Sequence, residues 1–147
     1  MAIMLRPISK KYTNLARLGN ITTPYGGKTR SEPFHKGVDI ANKSGTPIPN
    51  MADGVVVSAK TGMGKGSPDN SGNQVVIKDG QGNTHMYSHL RDVLVKPGQK
   101  VSKNQKIATM GDSGNTYSPT GGDASHLDYR VADAYGRYRD PSKIIKK

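Results

Sequence analysis

Four histidines stand in a chain of 147 residues, and three of them neighbour a side chain with which they could share chemistry. His35 and Asp39 lie four apart in FHKGVDIA. On an extended segment, positions 35, 37 and 39 point to one face, because strand side chains alternate. Gly37 between them leaves room for the two side chains to converge. His126 and Asp128, in SHLDYRV, again share one strand face, and His89, in HMYSHL, shares a face with His85 and Tyr87. Imidazole and carboxylate are ligands for a first-row divalent ion. A single such pair is more often a hydrogen-bonded surface pair than a metal site. Strands that bring all three faces together would gather two Asp and several His. That inventory suits a metal with an open position, plus neutral imidazoles to move protons.

Competing chemistries fall away. The chain has no Cys, hence no disulfide, no thiolate nucleophile and no Cys-ligated metal. Glu32 is the only Glu and Pro33 follows it, so an HExxH helix is impossible and acid–base work falls to His or Asp. GxSxG is absent. Gly62-Met63-Gly64-Lys65-Gly66 has the look of a phosphate loop but does not lie between a strand and a helix.

Twenty-two Lys and Arg against 11 acids give a net charge of +11, which attracts polyanions. The cations are scattered and mostly Lys, with no aromatic RNA-binding run and no basic helix, so nucleic acid is not the expected partner. A solvated basic face, or attraction to the anionic polymers of a bacterial wall, accounts for the charge. No run of 18 apolar residues is present, so no helical membrane span is expected. The start, MAIMLRPISKKYTNLARLG, lacks the unbroken apolar stretch and cleavage site of a secretory signal.

The elements that must position these residues are strands. Short β-rich runs between Gly, Pro, Asn and Asp are expected at 20–23, 37–40, 54–60, 73–79, 84–90, 106–110 and 126–131. Asp79-Gly80-Gln81-Gly82-Asn83 reads as a hairpin link between two of them. The expected class is all-β, a compact antiparallel sandwich or barrel-like fold, with one short helix near Tyr12–Leu18. One domain is expected over 1–147, with an N-terminal arm (1–19), a core (20–142) and a basic tail (143–147). Two Gly/Ser/Asp-rich loops, 61–72 and 111–125, are long enough to suggest function.

In order and spacing, the motifs resemble those of the lysostaphin-type zinc endopeptidases of bacterial peptidoglycan, which have the duplicated hybrid motif fold. The resemblance runs from ITTPYG at 21–26 through FHKGVDIA, SGTPIPNMADGVVV, GNQVVIKDGQGNTHMYSHL and VKPGQKVSKNQKIATMGDSGN to SHLDYRV and Asp140-Pro141. It implies zinc ligation by His35 and Asp39 (the HxxxD element) and a catalytic role for His89 (the YxHL element). The family's last motif is usually HLHFE, whose first His is catalytic and whose second binds zinc. Here it reads HLDYR, so His126 takes the catalytic position, Asp128 stands where the third ligand is expected, and Arg130 replaces an acid. His85, Tyr87 and Tyr117 are expected to line the substrate groove.

A His–Asp–Asp set can bind zinc. The shorter Asp requires the metal to shift or the strand to approach. Two carboxylates would weaken the acidification of a bound water and open the site to Mn²⁺ or another divalent ion. The resemblance thus implies a metal-dependent endopeptidase that cuts peptidoglycan cross-links; the alternative is a degenerate virion or wall-binding domain of the same fold. A chain that starts with Met and consists almost wholly of the catalytic-type domain suggests a phage lysin or a virion component with tail-protein partners, acting at the host wall or periplasm. A sugar-phosphotransferase carrier, with a related barrel and paired His, would need neither HxxxD nor so basic a chain.

Overall fold

The computed structural model describes residues 15–29, 32–64, 71–114, 116 and 124–143. Valine and isoleucine runs bounded by turn residues become strands because β-branched side chains pack well on a pleated surface. In chain order these are β1 (Asn20–Thr23), β2 (Val38–Ala41), β3 (Pro47–Pro49), β4 (Gly54–Lys60), β5 (Asn73–Asp79), β6 (Thr84–Val93), β7 (Lys100–Val101), β8 (Lys106–Met110), β9 (His126–Ala132) and β10 (Tyr138–Arg139). They form one sheet in the order β1-β2-β9-β6-β5-β4-β7, with β8 on β6, β3 on β8 and β10 on β9. All these pairings are antiparallel, and the sheet does not close, since β1 and β7 end the order without pairing each other.

The seven expected strands are present, with ends moved by up to three residues: β2 starts one residue later, and β6 runs on to Val93. Three strands of two or three residues, β3, β7 and β10, escaped the sequence pattern because they are too short to show alternation. The expected helix is a single 3-10 turn, Leu15–Leu18; the earlier part of that expectation lies outside the described residues. The hairpin link holds as expected. Asp79 Oδ1 accepts from the Gln81 and Asn83 amides, and Gly82 takes the left-handed backbone (φ 85°) that the turn requires.

Alternation on the central strands separates two faces. Leu127, Tyr129 and Val131 of β9, Ile40 of β2 and Val75 and Ile77 of β5 are buried in one apolar core. His126, Asp128 and Arg130 point to the other side of β9. Residues 85 and 87 of β6 pair with Val131 and Tyr129, so they share the core face. This corrects the sequence expectation for two groove residues, because His85 and Tyr87 are wholly buried. The His85 ring joins Asp79 Oδ2 (2.9 Å) to the Tyr129 hydroxyl (2.7 Å). That bond to His85 holds the Asp79 carboxyl below its ordinary range, although burial alone would raise it.

The Tyr87 hydroxyl accepts from the Met51 amide (2.8 Å) and donates to Asn50 Oδ1 (3.3 Å). Tyr87→Phe leaves the Met51 amide without this partner in a dry place. The variant should lose roughly 1–3 kcal/mol of unfolding free energy in urea titration. A loss below the error of the titration would show that these bonds do not matter to the fold.

Candidate metal centre

Backbone register sets the two carboxylates side by side. β2 pairs with β9 so that Asp39 faces Asp128 and Ala41 faces His126, and β6 places Ser88 against Asp128 on the other side. His35 lies three residues before β2 in a loop tied to the turn at Gly26. Its amide donates to the Gly27 carbonyl (2.8 Å), and its carbonyl accepts from the Gly26 amide (2.7 Å). His35, Asp39 and Asp128 each offer one ligand atom, and these atoms lie within 4.8 Å of one another.

His35 is gripped at both ends. Nε2 meets Asp39 Oδ1 at 3.0 Å and Nδ1 meets Glu32 Oε1 at 2.8 Å. Burial opposes its charged form, but the hydrogen bond and charge of Asp39, with Asp128 and Glu32 behind them, prevail and push it up to about 9. Arg130 completes the cluster. Its Nε donates to Asp128 Oδ1 (3.0 Å), while one terminal nitrogen donates to Asp128 Oδ2 (2.9 Å) and to Glu32 Oε1 (2.6 Å). Gly37 is needed here for a different reason from the expected one. A Cβ at 37 would lie 2.5 Å from Arg130 Cγ and 2.8 Å from Asp128 Oδ1, so the open space admits the Arg130 stem.

His89 reaches this face through an exceptional backbone. By alternation from Tyr87 it would point into the core. A left-handed conformation at 89 (φ 63°) breaks the alternation. The His89 ring lies 4.6 Å from that of His126, centroid to centroid. Each ring is oriented through Nδ1, His89 on the Ser113 carbonyl and His126 on the Ala124 carbonyl, both at 2.8 Å. A carbonyl can only accept, so both Nδ1 atoms carry a proton, and His89 in its neutral form presents Nε2 as acceptor. Burial, aided by the charge of neighbouring His126, keeps His89 below its ordinary value, so it is neutral at pH 7. Nε2 of His126 lies 3.9 Å from Asp39 Oδ1, which joins the imidazole pair to the carboxylates.

The donors suit a divalent ion. They are one imidazole nitrogen and two carboxylate oxygens, with the far nitrogen of that imidazole held by a carboxylate, as metal-ligating histidines usually are. The structure brings His35, Asp39, Asp128, His89 and His126 close together. It withdraws His85 and Tyr87, and Tyr117 lies outside the described residues. Sequence reasoning missed Glu32, which had served only to exclude a protease class, and the partners of Arg130. The position of Arg130 two residues beyond Asp128 on the same strand face was the available signal.

A sheet of this form carrying a His–Asp–Asp cluster beside two histidines defines a candidate metallohydrolase. The model of peptidase family M23 matches residues 33–141, and the chain belongs to that family. It is 42% identical over 99 residues to the peptidoglycan DD-endopeptidase ShyA of Vibrio cholerae, covering 66% of this chain and 20% of that one. It is 36% identical over 98 residues to the murein hydrolase activator NlpD of Escherichia coli, covering 67% and 24%. Lysostaphin from Staphylococcus simulans superposes with a TM-score of 0.72 at 26% identity, over 90% of this chain and 51% of that one. The chain thus spans about a fifth to a quarter of the length of these two curated relatives.

The raised His35 value gives a pH signature. Protonated His35 stabilises the folded, metal-stripped protein fully below its unfolded value of 6.5, and this contribution is lost as the pH rises through about 9. In chelator, unfolding free energy should fall by roughly 3 kcal/mol across that window, at about 1.4 kcal/mol per pH unit. His35→Gln should flatten this part of the profile. An unchanged slope in the variant would assign it to other groups.

Proposed function

We propose that the chain is a metal-dependent endopeptidase that hydrolyses the peptide cross-links of bacterial peptidoglycan. The observation that carries this reading is the convergence of His35, Asp39 and Asp128 with the His89–His126 pair on one face of the sheet. Membership of the M23 family and the named activity of ShyA support the substrate class. The net charge of +11 favours approach to an anionic wall. Delivery as a phage lysin or virion component is part of the same proposal; finding the chain by mass spectrometry in purified virions would support it. Among the described residues, no helix is long and apolar enough to cross a membrane.

His35, Asp39 and Asp128 would hold the ion, with zinc the first candidate for this donor set. When bound, such an ion polarises a peptide carbonyl and makes a water easier to deprotonate. His89 is suited to take a proton from the attacking water, because it is neutral and its Nδ1 bond to Ser113 leaves Nε2 as acceptor. His126, partly exposed and oriented by Ala124, is suited to hydrogen-bond the developing oxyanion when Nε2 also carries a proton, and His89 returns the proton it took to the leaving amine. The two rings act as a pair because a charge on one opposes a charge on the other. The water oxygen bonds to the carbonyl carbon, the C–N bond breaks, and the proton taken from water leaves on the amine.

A second reading has one observation in its favour. Both oxygens of Asp128 are held by Arg130, as in a purely structural ion pair, and the chain also matches an activator. A domain of that kind would bind wall material without cutting it.

Muropeptide mapping of purified peptidoglycan after digestion separates the two. The enzymatic reading requires new free peptide ends that vanish with chelator. His126→Ala should lower their formation by at least about 10²-fold while metal content stays the same. His35→Ala should lose both metal and activity. Intact cross-links with wild-type, metal-loaded protein would overturn this reading and leave the binding domain.

A further inference from the structure

We propose that Arg130 determines which ion the site accepts, by restricting Asp128 to single-oxygen ligation and so favouring a low-coordinate ion such as Zn²⁺ over Mn²⁺. The inference rests on the reading of the cluster as a metal centre. It concerns a residue that stands where the family pattern has an acid.

Geometry carries the argument. The guanidinium meets the Asp128 carboxylate as a fork, Nε to Oδ1 at 3.0 Å and a terminal nitrogen to Oδ2 at 2.9 Å. A carboxylate that chelates a metal through both oxygens must aim the facing lone pairs of those oxygens at it. In Asp128 those lone pairs are spent on the fork. One remaining lone pair on either oxygen can still reach an ion, so Asp128 can ligate through one atom only. Asp39 differs, since Oδ1 alone is engaged by His35.

Arg130 is also held in place. Its fork continues to Glu32 Oε1 at 2.6 Å, and Glu32 accepts from His35 Nδ1 at 2.8 Å. Its stem lies over Gly37, where no Cβ intrudes, and less than a quarter of the side chain is exposed. The guanidinium does not deprotonate at any pH the protein survives. The clamp is therefore permanent and ties a loop ligand, His35, to a strand ligand, Asp128.

Ions differ in what they need from such a site. Zinc is content with three protein ligands and one open position. Harder ions prefer six or more oxygens, often gained from two-oxygen carboxylates. With Asp128 limited to one oxygen, the donor count stays low, and an oxygen-rich ligand set discriminates as a smaller one would.

The test measures Zn²⁺ and Mn²⁺ dissociation constants on the full chain, zinc by competition with a chromophoric chelator and manganese by the resonance signal of the free ion. Arg130→Met removes the fork and keeps the stem over Gly37. Arg130→Lys keeps the charge but cannot hold both oxygens. The ratio of zinc to manganese affinity should fall at least tenfold in both variants, mainly through tighter manganese binding. Because both ions are measured on one sample, the ratio does not depend on the fraction that folds. An unchanged ratio in Arg130→Met, or equal weakening of both ions, would overturn the proposal. So would a ratio preserved in Arg130→Lys, which would make charge and not the fork responsible. Failure to cut peptidoglycan would overturn the substrate reading alone, since the ratio is measured without substrate.

Discussion

Asp39 and Asp128 face each other across β2 and β9, and the surroundings of the site answer to that juxtaposition. Two directly opposed carboxylates repel, and burial makes their charges more costly still. Glu32 adds a third carboxylate to the same cluster. Such a group persists only if cations meet it. Arg130 lies between Asp128 and Glu32, and His35 lies between Glu32 and Asp39 and carries a proton there when no metal does. Asp39 and Asp128 retain lone pairs beyond those contacts, and a divalent ion is the natural complement to them. The core face of the same strands fixes this register. A slip by one residue would drive Leu127 and Tyr129 into solvent and the carboxylates into the core.

The second constraint is the backbone at His89. A left-handed residue other than Gly costs about 1–2 kcal/mol. The neighbouring bonds offset it. The His89 amide donates to the Ser71 carbonyl, the ring to the Ser113 carbonyl, and the next carbonyl, of Leu90, accepts from both Asn73 Nδ2 and Ser113 Oγ. Residues 71–73 and 113 thus join the ends of the two long loops to one irregular point of β6. The reversal that separates His89 from Tyr87 is what lets one strand serve the core with His85 and Tyr87 and the site with His89.

This reversal marks the limit of what the sequence discloses. Strand positions and the hairpin at 79–83 were legible, because β-branched runs and Gly/Asn/Asp turns act locally. The HxxxD and SHLD pairs were legible for the same reason, each lying within a few residues on one extended segment. Period-two reasoning failed on HMYSHL, where it grouped His85, Tyr87 and His89, because a single φ value set by distant partners changes the face and leaves no mark on residue type. Glu32 was missed on other grounds. Its contacts to His35 and Arg130 depend on a loop folding back on β9, 98 residues away for the Arg130 bond. A solitary Glu before Pro33 carries no periodic signal.

The two departures of HLDYR from HLHFE are intelligible only together. Asp128 alone would place an uncompensated carboxylate against Asp39 and Glu32, raising the repulsion in a largely buried cluster. Arg130 alone, beside a neutral imidazole at 128, would place a cation near a site meant for another cation, with only Glu32 to answer it. Combined, they cancel in charge, and Arg130 fixes the aim of the shorter side chain through a two-point contact. To an approaching ion, an Asp neutralised in this way resembles a neutral donor more than a free carboxylate. The expectation that two carboxylates would blunt the acidity of a bound water treated Asp128 in isolation. With Arg130 beside it, Asp128 meets an ion with part of its charge already answered, by a guanidinium that it shares with Glu32, and Asp39 is left as the carboxylate without an arginine partner.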